Sequence, residues 1–296
     1  ADRPQKGRYR EFYQCDADVV GSDSLLNEVE LLQMIDEVFA RLGVAITIKL
    51  NNRKVLAGIA EMIGRPDKLI DITVAIDKLD KIGLDNVKAE LIERSLTPAE
   101  VERLMPVLSI SGSTSEKLDA LAKALAGVET GLKGIEELRT VTTLASSLRC
   151  DLELDFSLAR GLNYYTGTIV EVKARDVEIG SISGGGRYDN MVGKFIGQQV
   201  PAVGFSIGFE RVCGILLEQD YQIPGAKQKL ALLYLKDADF AAVLAKADAL
   251  RAAYDVTVLP QAKKLGKQFG TLEAAGFNAV AFADNEDVKL LGQKAE

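Results

Sequence analysis

The stretch from residue 154 to residue 211 constrains the fold most, because short apolar segments alternate in it with glycine-rich turns. The β-branched run Ile169–Val172 predicts a buried strand. A second short strand should enter the glycine run Gly184–Gly186. A third, Gly204–Gly208, should give way to a helix near Glu210. Together these segments predict neighbouring strands of an antiparallel sheet.

An arginine accompanies each of these segments. Arg160 precedes Tyr164 and Tyr165, Arg187 precedes Tyr188 and Asp189, and Arg211 stands at the start of the predicted helix. Consecutive glycines let a backbone come close to a ligand, and guanidinium groups bind carboxylates and phosphates in a fixed fork. The pattern favours a site for a small anionic ligand. Solvated arginines on an ordinary sheet are the alternative.

Composition narrows the classes of function. The chain has 296 residues, enough for two or three domains, and no apolar run nears the roughly 20 residues of a membrane-spanning helix. It has no histidine, which excludes histidine-based triads and zinc hydrolysis. Cys15, Cys150 and Cys213 are scattered, which favours a reducing compartment over a disulfide framework or zinc site. The first residues lack a signal-peptide pattern, so we expect a cytoplasmic protein without a membrane partner.

The N-terminal segment combines a basic turn with a strand. Four cations surround the turn at 4–7, and the alternating strand FYQCDADVV follows. Such a loop commonly holds a phosphate, although a solvated hairpin tip fits equally well. Gln14 and Asp18 are polar residues in an otherwise apolar strand. We expect them to be buried, and buried polar groups need partners, of which a bound ligand is one.

Changes in the spacing of apolar residues along the chain divide it into four predicted segments. Residues 1–57 and 129–224 carry the predicted sheet. Residues 58–128 form amphipathic helices with short connections, which predicts a helical module inserted into a β-rich domain. Its charged faces are either solvated or in contact with a macromolecule. Residues 225–296 alternate as β-α-β-α-β, the pattern of a small parallel α/β domain.

A basic cluster stands in this last domain. Lys263, Lys264 and Lys267 lie at the head of its second predicted helix, just after a strand. Because the net charge is −7, any nucleic-acid partner must meet a local basic patch. The three lysines form a candidate ligand-facing edge. A solvated helix start is the alternative.

Four motifs resemble those of histidyl-tRNA synthetases. RPQKGRYREFYQCDADVVG resembles motif 2 of that family, and LARGLNYYTG resembles its histidine-specific signature. SGGGRYD and VGFSIGFER resemble the glycine loop and motif 3 that follow. The resemblance implies an α+β fold: a class II synthetase antiparallel sheet with helices, a helical insertion, and a C-terminal α/β anticodon-binding domain. The two halves of the catalytic core would then be residues 1–57 and 129–224.

The resemblance also implies a reaction, the ATP-dependent ligation of histidine to its tRNA through a histidyl-adenylate. ATP would be a substrate accompanied by Mg²⁺, and no structural metal is expected. The implied partners are histidine, ATP and tRNA(His), with a homodimer for the full-length protein. The chemistry suits a chain without histidine, because the substrate carboxylate is already a nucleophile and the protein mainly positions groups and neutralises charge.

Matching positions receive roles from the family. Asp2, Arg8 and Arg211 would bind ATP; Gln14, Asp18, Arg160, Tyr165 and Tyr188 would bind histidine; Lys263, Lys264 and Lys267 would bind tRNA. Arg160 would also be catalytic, because it would lie between the substrate carboxylate and the α-phosphate. The family usually has Glu where Asp18 stands, so the reach of this side chain to the imidazole differs.

The resemblance further implies that motif 1 and the motif 2 arginine would precede Ala1, so we expect a chain truncated before motif 2. Two alternatives share the same core: a non-catalytic paralogue that regulates histidine biosynthesis, and a synthetase-like module that senses tRNA. The signature RGLNYYTG and the C-terminal domain weigh against the first. The ligand-facing residues weigh against the second.

Overall fold

The computed structural model describes residues 9–160 and 164–292. It divides into two compact units, Ala1–Asp220 and Tyr221–Glu296. Each unit has its own hydrophobic core.

A six-stranded sheet organises the first unit. Its strands are β1 (Gln14–Val20), β2 (Ile46–Asn52), β3 (Asp151–Leu154), β4 (Thr168–Ala174), β5 (Ser183–Arg187) and β6 (Ala202–Gly208). They lie in the order β1-β6-β5-β4-β2-β3. All neighbours are antiparallel except β2 and β3, which are parallel. The predicted antiparallel sheet is therefore confirmed, including the strands that enter the two glycine segments.

One face of this sheet is apolar and covered by helices. Ile48, Val172 and Phe205, from β2, β4 and β6, are buried on it. Helix α1 (Leu26–Leu42) packs on β6, and helix α7 (Glu129–Leu144) packs on β2 and β4. Alternation of side chains along a strand leaves polar residues for the opposite face.

The helical segment shares its core with the sheet. Its helices are α2 (Arg53–Met62), a 3₁₀ turn (Pro66–Lys68), α3 (Leu69–Ile76), α4 (Leu79–Glu93), α5 (Pro98–Leu108) and α6 (Thr114–Ala124). Ile72, Leu91 and Leu104 belong to the same buried cluster as the strand residues. The boundary predicted between residues 57 and 58 lies inside α2. A Cβ on Gly58 would lie 2.5 Å from the Cα of Gly131, so α2 and α7 cross where both are glycine.

Two further helices complete the first unit: α8 (Gly193–Ile196) and α9 (Phe209–Glu218). Helix α9 begins directly after β6, as the sequence predicts for the helix near Glu210. No helix in the described residues of either unit is long and apolar enough to cross a membrane.

The second unit is a four-stranded sheet covered on both faces. Its elements are β7 (Gln228–Tyr234), α10 (Phe240–Leu250), β8 (Tyr254–Pro260), α11 (Leu265–Ala274), β9 (Ala279–Phe282) and β10 (Val288–Leu290). Strand β7 is parallel to both β8 and β9. Leu230 and Leu232 share a cluster with Val243 of α10, whereas Leu233 lies with Leu272 of α11. The predicted β-α-β-α-β alternation is present, followed by the short exposed strand β10, which the sequence did not predict.

Candidate functional site

The polar face of the six-stranded sheet collects most of the candidate residues. Backbone pairing aligns one row across five strands: Asp16, Ser206, Gly184, Glu171 and Lys49. Two residues along, a second row on the same face contains Asp18, Gly204, Gly186, Ile169 and Asn51. Directly paired residues point to the same side of a sheet. Charged and amide groups on the flanking strands therefore surround a strip of glycines on β5 and β6.

The glycines make room for side chains of the site. Each accommodates a different residue: a Cβ on Gly204 would lie 1.8 Å from Asp18 Oδ1, one on Gly186 would lie 2.9 Å from the Tyr165 ring, and one on Gly184 would lie 3.5 Å from Arg160 Nη1. The sequence predicts that these glycines allow a close approach. In the structure, the groups that approach them are the candidate binding side chains themselves.

Arg160 lies on this face against a buried carboxylate. Its Nη2 is 2.6 Å from Glu171 Oε1 and 2.6 Å from Ser181 Oγ. The Ser181 hydroxyl also donates to Glu171. Within residues 9–160 and 164–292, Nη1 of Arg160 makes no hydrogen bond. The guanidinium is thus held through one nitrogen, and its other end is presented over Gly184.

Arg211 approaches the same turn from helix α9. Its Nη1 donates to the carbonyl oxygen of Ser181. The guanidinium also packs against Gly180, where a Cβ would lie 3.2 Å from Nη1. The fold therefore brings Arg160 and Arg211, which are far apart in sequence, to the two sides of Ser181.

Gln14 and Asp18 belong to the edge strand β1. Both are exposed, so the expectation of buried polar groups is wrong: β1 is the outermost strand of the sheet. Each still has a partner on the polar face. Gln14 Nε2 donates to Ser206 Oγ at 2.5 Å, and the Tyr188 hydroxyl donates to Asp18 Oδ1 at 2.5 Å. Burial, and then this contact with Asp18, raise the pKa of Tyr188 above its usual range.

Tyr165 lies between Gly186 and its neighbour Tyr164. The two ring centroids are 4.3 Å apart. Burial, followed by a hydrogen bond with Tyr164, raises the pKa of Tyr165 well above its usual range. At neutral pH, Tyr165 and Tyr188 are therefore both neutral phenols, and the single hydroxyl hydrogen of Tyr188 is donated to Asp18.

Arg187 is not part of the ligand face, so the sequence-based expectation for this residue is wrong. It pairs with Val203, and because side chains alternate along β5, it points to the face opposite that of Gly184 and Gly186. Its side chain is only 5% exposed. Nε and Nη2 each lie 2.6 Å from a carboxylate oxygen of Glu28 in α1. Asp189 is 3.2 Å from Nη1. A bidentate ion pair of this kind fixes α1 to the sheet.

The candidate tRNA-binding lysines lie in the second unit. Lys263, Lys264 and Lys267 are all exposed, and none forms an ion pair within the described part of that unit. Gln268 fixes the loop that carries the first two, because its side chain accepts from Ala262 N at 2.8 Å and donates to Pro260 O at 2.9 Å. The cluster follows the carboxyl end of the parallel strand β8, where ligands of α/β sheets commonly bind.

Asp2 and Arg8 lie outside the described residues, as do positions 161–163 of the signature. The structure adds three polar residues that the sequence did not single out: Glu171, Ser181 and Ser206. One signal was available for Glu171, which is a carboxylate inside the β-branched run IVEV. Strand alternation alone would have placed it on a face different from that of its apolar neighbours.

The fold and the arginine-lined polar face define a protein of the class II aminoacyl-tRNA synthetase type. The model of the histidyl-tRNA synthetase family matches residues 1–212. The chain belongs to the histidyl-tRNA synthetase family.

Several relatives and solved structures are similar to the chain. It is 54% identical to a histidine–tRNA ligase of Phocaeicola vulgatus over 279 residues, covering 91% of this chain and 61% of the relative. A histidine–tRNA ligase of Porphyromonas gingivalis is 50% identical, with coverages of 99% and 65%. The histidyl-tRNA synthetase structure from Nostoc sp. PCC 7120 has a TM-score of 0.80 at 33% identity, covering 92% of this chain and 66% of that one.

A more distant structure shares the fold alone. It is described as an ATP phosphoribosyltransferase regulatory subunit/histidyl-tRNA synthetase from Bacillus halodurans, and it has a TM-score of 0.72 at 17% identity, covering 92% of this chain and 68% of that one. The chain spans less than two thirds of the length of the two ligases compared above.

Proposed function

We propose that this chain forms the histidine-activating and tRNA-reading part of a histidine–tRNA ligase. The observation that carries the proposal is the meeting of Arg160 and Arg211 at Ser181, on a polar face floored by glycines. Two guanidinium groups at one turn suit a ligand with several anionic groups. The family of the chain makes ATP and histidine the natural candidates.

The first step needs positioning more than proton transfer. A carboxylate oxygen of histidine attacks the α-phosphorus of ATP, and the bond from that phosphorus to the bridging oxygen of pyrophosphate breaks. No proton has to move. Arg160 would stabilise the charge on the α-phosphate, while Arg211, Arg8 and Asp2 would hold the ATP. Mg²⁺ enters with ATP and neutralises part of the charge of the triphosphate.

The imidazole would be recognised on the β1 side of the same face. Asp18 and Tyr188 are already hydrogen-bonded to each other at 2.5 Å, and Gln14 and Tyr165 lie on the same face. Polar recognition of this kind discriminates strongly, since an apolar amino acid would leave these groups without partners. Asp18 is shorter than the glutamate usual in the family. Tyr188 fixes this shorter carboxylate beside Gly204.

The remaining assignments complete the proposal. Residues 225–296 form the anticodon-binding domain, with Lys263, Lys264 and Lys267 facing tRNA(His). Residues 1–57 and 129–224 form the catalytic core, and residues 58–128 form the helical insertion. The full-length enzyme is a cytoplasmic homodimer without a structural metal. The three free cysteines of this chain fit a reducing compartment.

The test is histidine-dependent ATP–pyrophosphate exchange, measured on the enzyme at the full length of its relatives. We expect exchange with histidine and none with leucine or phenylalanine. A folded protein that binds tRNA without exchange would be a sensing module. A protein with neither property would be the regulatory paralogue. Either result would overturn the proposed activity.

A further inference from the structure

A chain of alternating charges crosses the polar face from the helical segment to Arg160. Lys49 Nζ lies 2.7 Å from Asp155 and 3.2 Å from Asp80, which belongs to α4. Lys173 Nζ then lies 3.7 Å from Asp80 and 3.8 Å from Glu171 Oε2. Glu171 Oε1 closes the chain at 2.6 Å from Arg160. The two oxygens of Glu171 thus face different cations: Oε2 faces Lys173, and Oε1 faces Arg160 of the candidate site.

In the ion pair between Arg160 and Glu171, Glu171 is the more buried partner. Its side chain is 9% exposed, compared with 45% for Arg160. A half-exposed arginine has several rotatable bonds and loses considerable freedom when it is ordered. Glu171 and the Ser181 hydroxyl both contact Nη2, which fixes the plane and direction of the guanidinium. Gly184, opposite Glu171 in the sheet, supplies no side chain that would compete for the space.

We propose that Glu171 is a positioning residue for Arg160. It holds Nη2 and thereby directs Nη1 over Gly184, toward the phosphate that Arg160 would stabilise. Lys173 faces the second oxygen of Glu171 at 3.8 Å and itself lies 3.7 Å from Asp80 of α4, so the helical segment adds to the charge pattern around Glu171. This inference rests on the proposed function, because it concerns the arginine that would act in adenylate formation.

The primary experiment is a double-mutant cycle on the full-length enzyme, using pyrophosphate exchange for catalysis and thermal unfolding for stability. Glu171→Gln keeps the shape of the side chain and removes the charge. We expect kcat to fall roughly 10- to 100-fold, as small misplacements of a reacting group do. The KM values for histidine and ATP and the melting temperature should change little. In an Arg160→Ala background, the same substitution should have almost no further effect.

Two further variants guard against misinterpretation. Ser181→Ala removes only the hydroxyl that contacts both Arg160 and Glu171. It should also lower kcat, by less than Glu171→Gln does. This variant still tests the inference if Glu171→Gln does not fold. Asp151→Asn is the matched control, since Asp151 pairs with Arg175 at 2.7 Å on the exposed end of the same sheet. It should leave kcat unchanged.

Several results would overturn the inference. Wild-type activity in the Glu171→Gln variant would do so, as would an equal loss of kcat with and without Arg160. A raised requirement for Mg²⁺ in Glu171→Gln would make Glu171 a ligand of the metal that accompanies ATP instead. Failure of the proposed function can be told apart from failure of this inference, because the unmutated enzyme would then show no pyrophosphate exchange at all.

Discussion

Among the described residues, Arg160 is held by one nitrogen of its guanidinium, and this geometry sets what its loss should do. Glu171 and Ser181 occupy Nη2, so the rest of the group faces the proposed ligand. Arg160→Ala should lower the rate of adenylation on the order of 10²–10³-fold, the usual cost of removing one donor to a developing charge. Histidine binding should weaken less. Arg175→Ala, which removes an exposed arginine of the same sheet, is the control. Near-normal pyrophosphate exchange in Arg160→Ala would contradict the assignment.

Asp18 should act on specificity and not on phosphate chemistry. It is fixed by Tyr188 at 2.5 Å and lies over Gly204. Asp18→Ala should raise the KM for histidine roughly tenfold or more, because a hydrogen bond to a charged group contributes about 1.5–3 kcal/mol. The KM for ATP should hardly change. Asp23→Ala, an exposed carboxylate beyond β1, serves as the comparison. Equal increases in both KM values would show that Asp18 supports the strand.

Single residues also show where prediction from sequence ends. Arg160 and Arg187 both stand close to tyrosines in the sequence, yet one lies on the polar face and the other pairs with Glu28 beneath the sheet. Arg187 is the last residue of β5, and alternation along that strand places it on the face opposite Gly184 and Gly186. Because the middle of β5 consists of glycines, its sequence has no apolar alternation that would identify this face. The sequence around Ser181 likewise does not indicate a role for this residue. Its importance arises from two arginines that meet it from distant parts of the chain.

At the scale of elements, Lys49 of β2 forms a largely buried ion pair with Asp155, which follows β3, and a second, more exposed one with Asp80 of α4. Burial alone would lower the pKa of Lys49, but its contacts with Asp155 and Asp80 raise it above its usual range. For Asp155, burial opposes ionisation, yet the hydrogen bonds from Lys49 and Ser157 keep its pKa below the usual value. The unfolded chain therefore binds more protons than the folded one as pH falls below about 4, so this contribution to stability is present above that pH and is lost below it.

Replacing Asp155 should expose this linkage. Asp155→Asn should lower the free energy of unfolding at neutral pH by roughly 1–3 kcal/mol, because Lys49 loses its charged partner. It should also flatten the dependence of stability on pH below about pH 4. Urea denaturation followed by circular dichroism at several pH values measures both effects. Asp85→Asn, an exposed position of α4, should change neither. An unchanged acid profile in Asp155→Asn would show that other carboxylates dominate the acid response.

Element types were largely predictable, whereas their junctions were not. β-branched runs and glycine turns identified β4 and β6, and helical periodicity identified the segment from α3 to α6. The boundary predicted between residues 57 and 58 follows a change of sequence pattern, whereas α2 runs continuously across it from Arg53 to Met62. Strand β10 is not predictable from the sequence because the alternation of its three residues, Val-Lys-Leu, is too short to indicate a strand.

At the scale of the whole molecule, the division into two units predicts a division of labour. Every described residue proposed to contact ATP or histidine lies in the unit that ends at Asp220, and the three lysines lie in the other. Deleting residues 221–296 from the full-length enzyme should therefore leave pyrophosphate exchange largely intact. Transfer of histidine to tRNA should fall through a raised KM for tRNA.

The lysines give this division an electrostatic test. With a net charge of −7, binding of tRNA must rest on local basic patches, so its affinity should fall steeply with salt. Replacing Lys263, Lys264 and Lys267 together by alanine should reproduce part of the loss caused by the deletion. It should reduce the slope of log affinity against log salt by about one for each lysine that contacts a phosphate. Filter binding at several salt concentrations gives that slope, and pyrophosphate exchange on the same variant confirms an intact core. An unchanged slope would show that tRNA contacts other residues.

Loss of exchange in a still-folded variant that lacks residues 221–296 would instead show that the second unit supports the catalytic face. Adenylate formation would then depend on a unit that holds none of the proposed contacts with ATP or histidine.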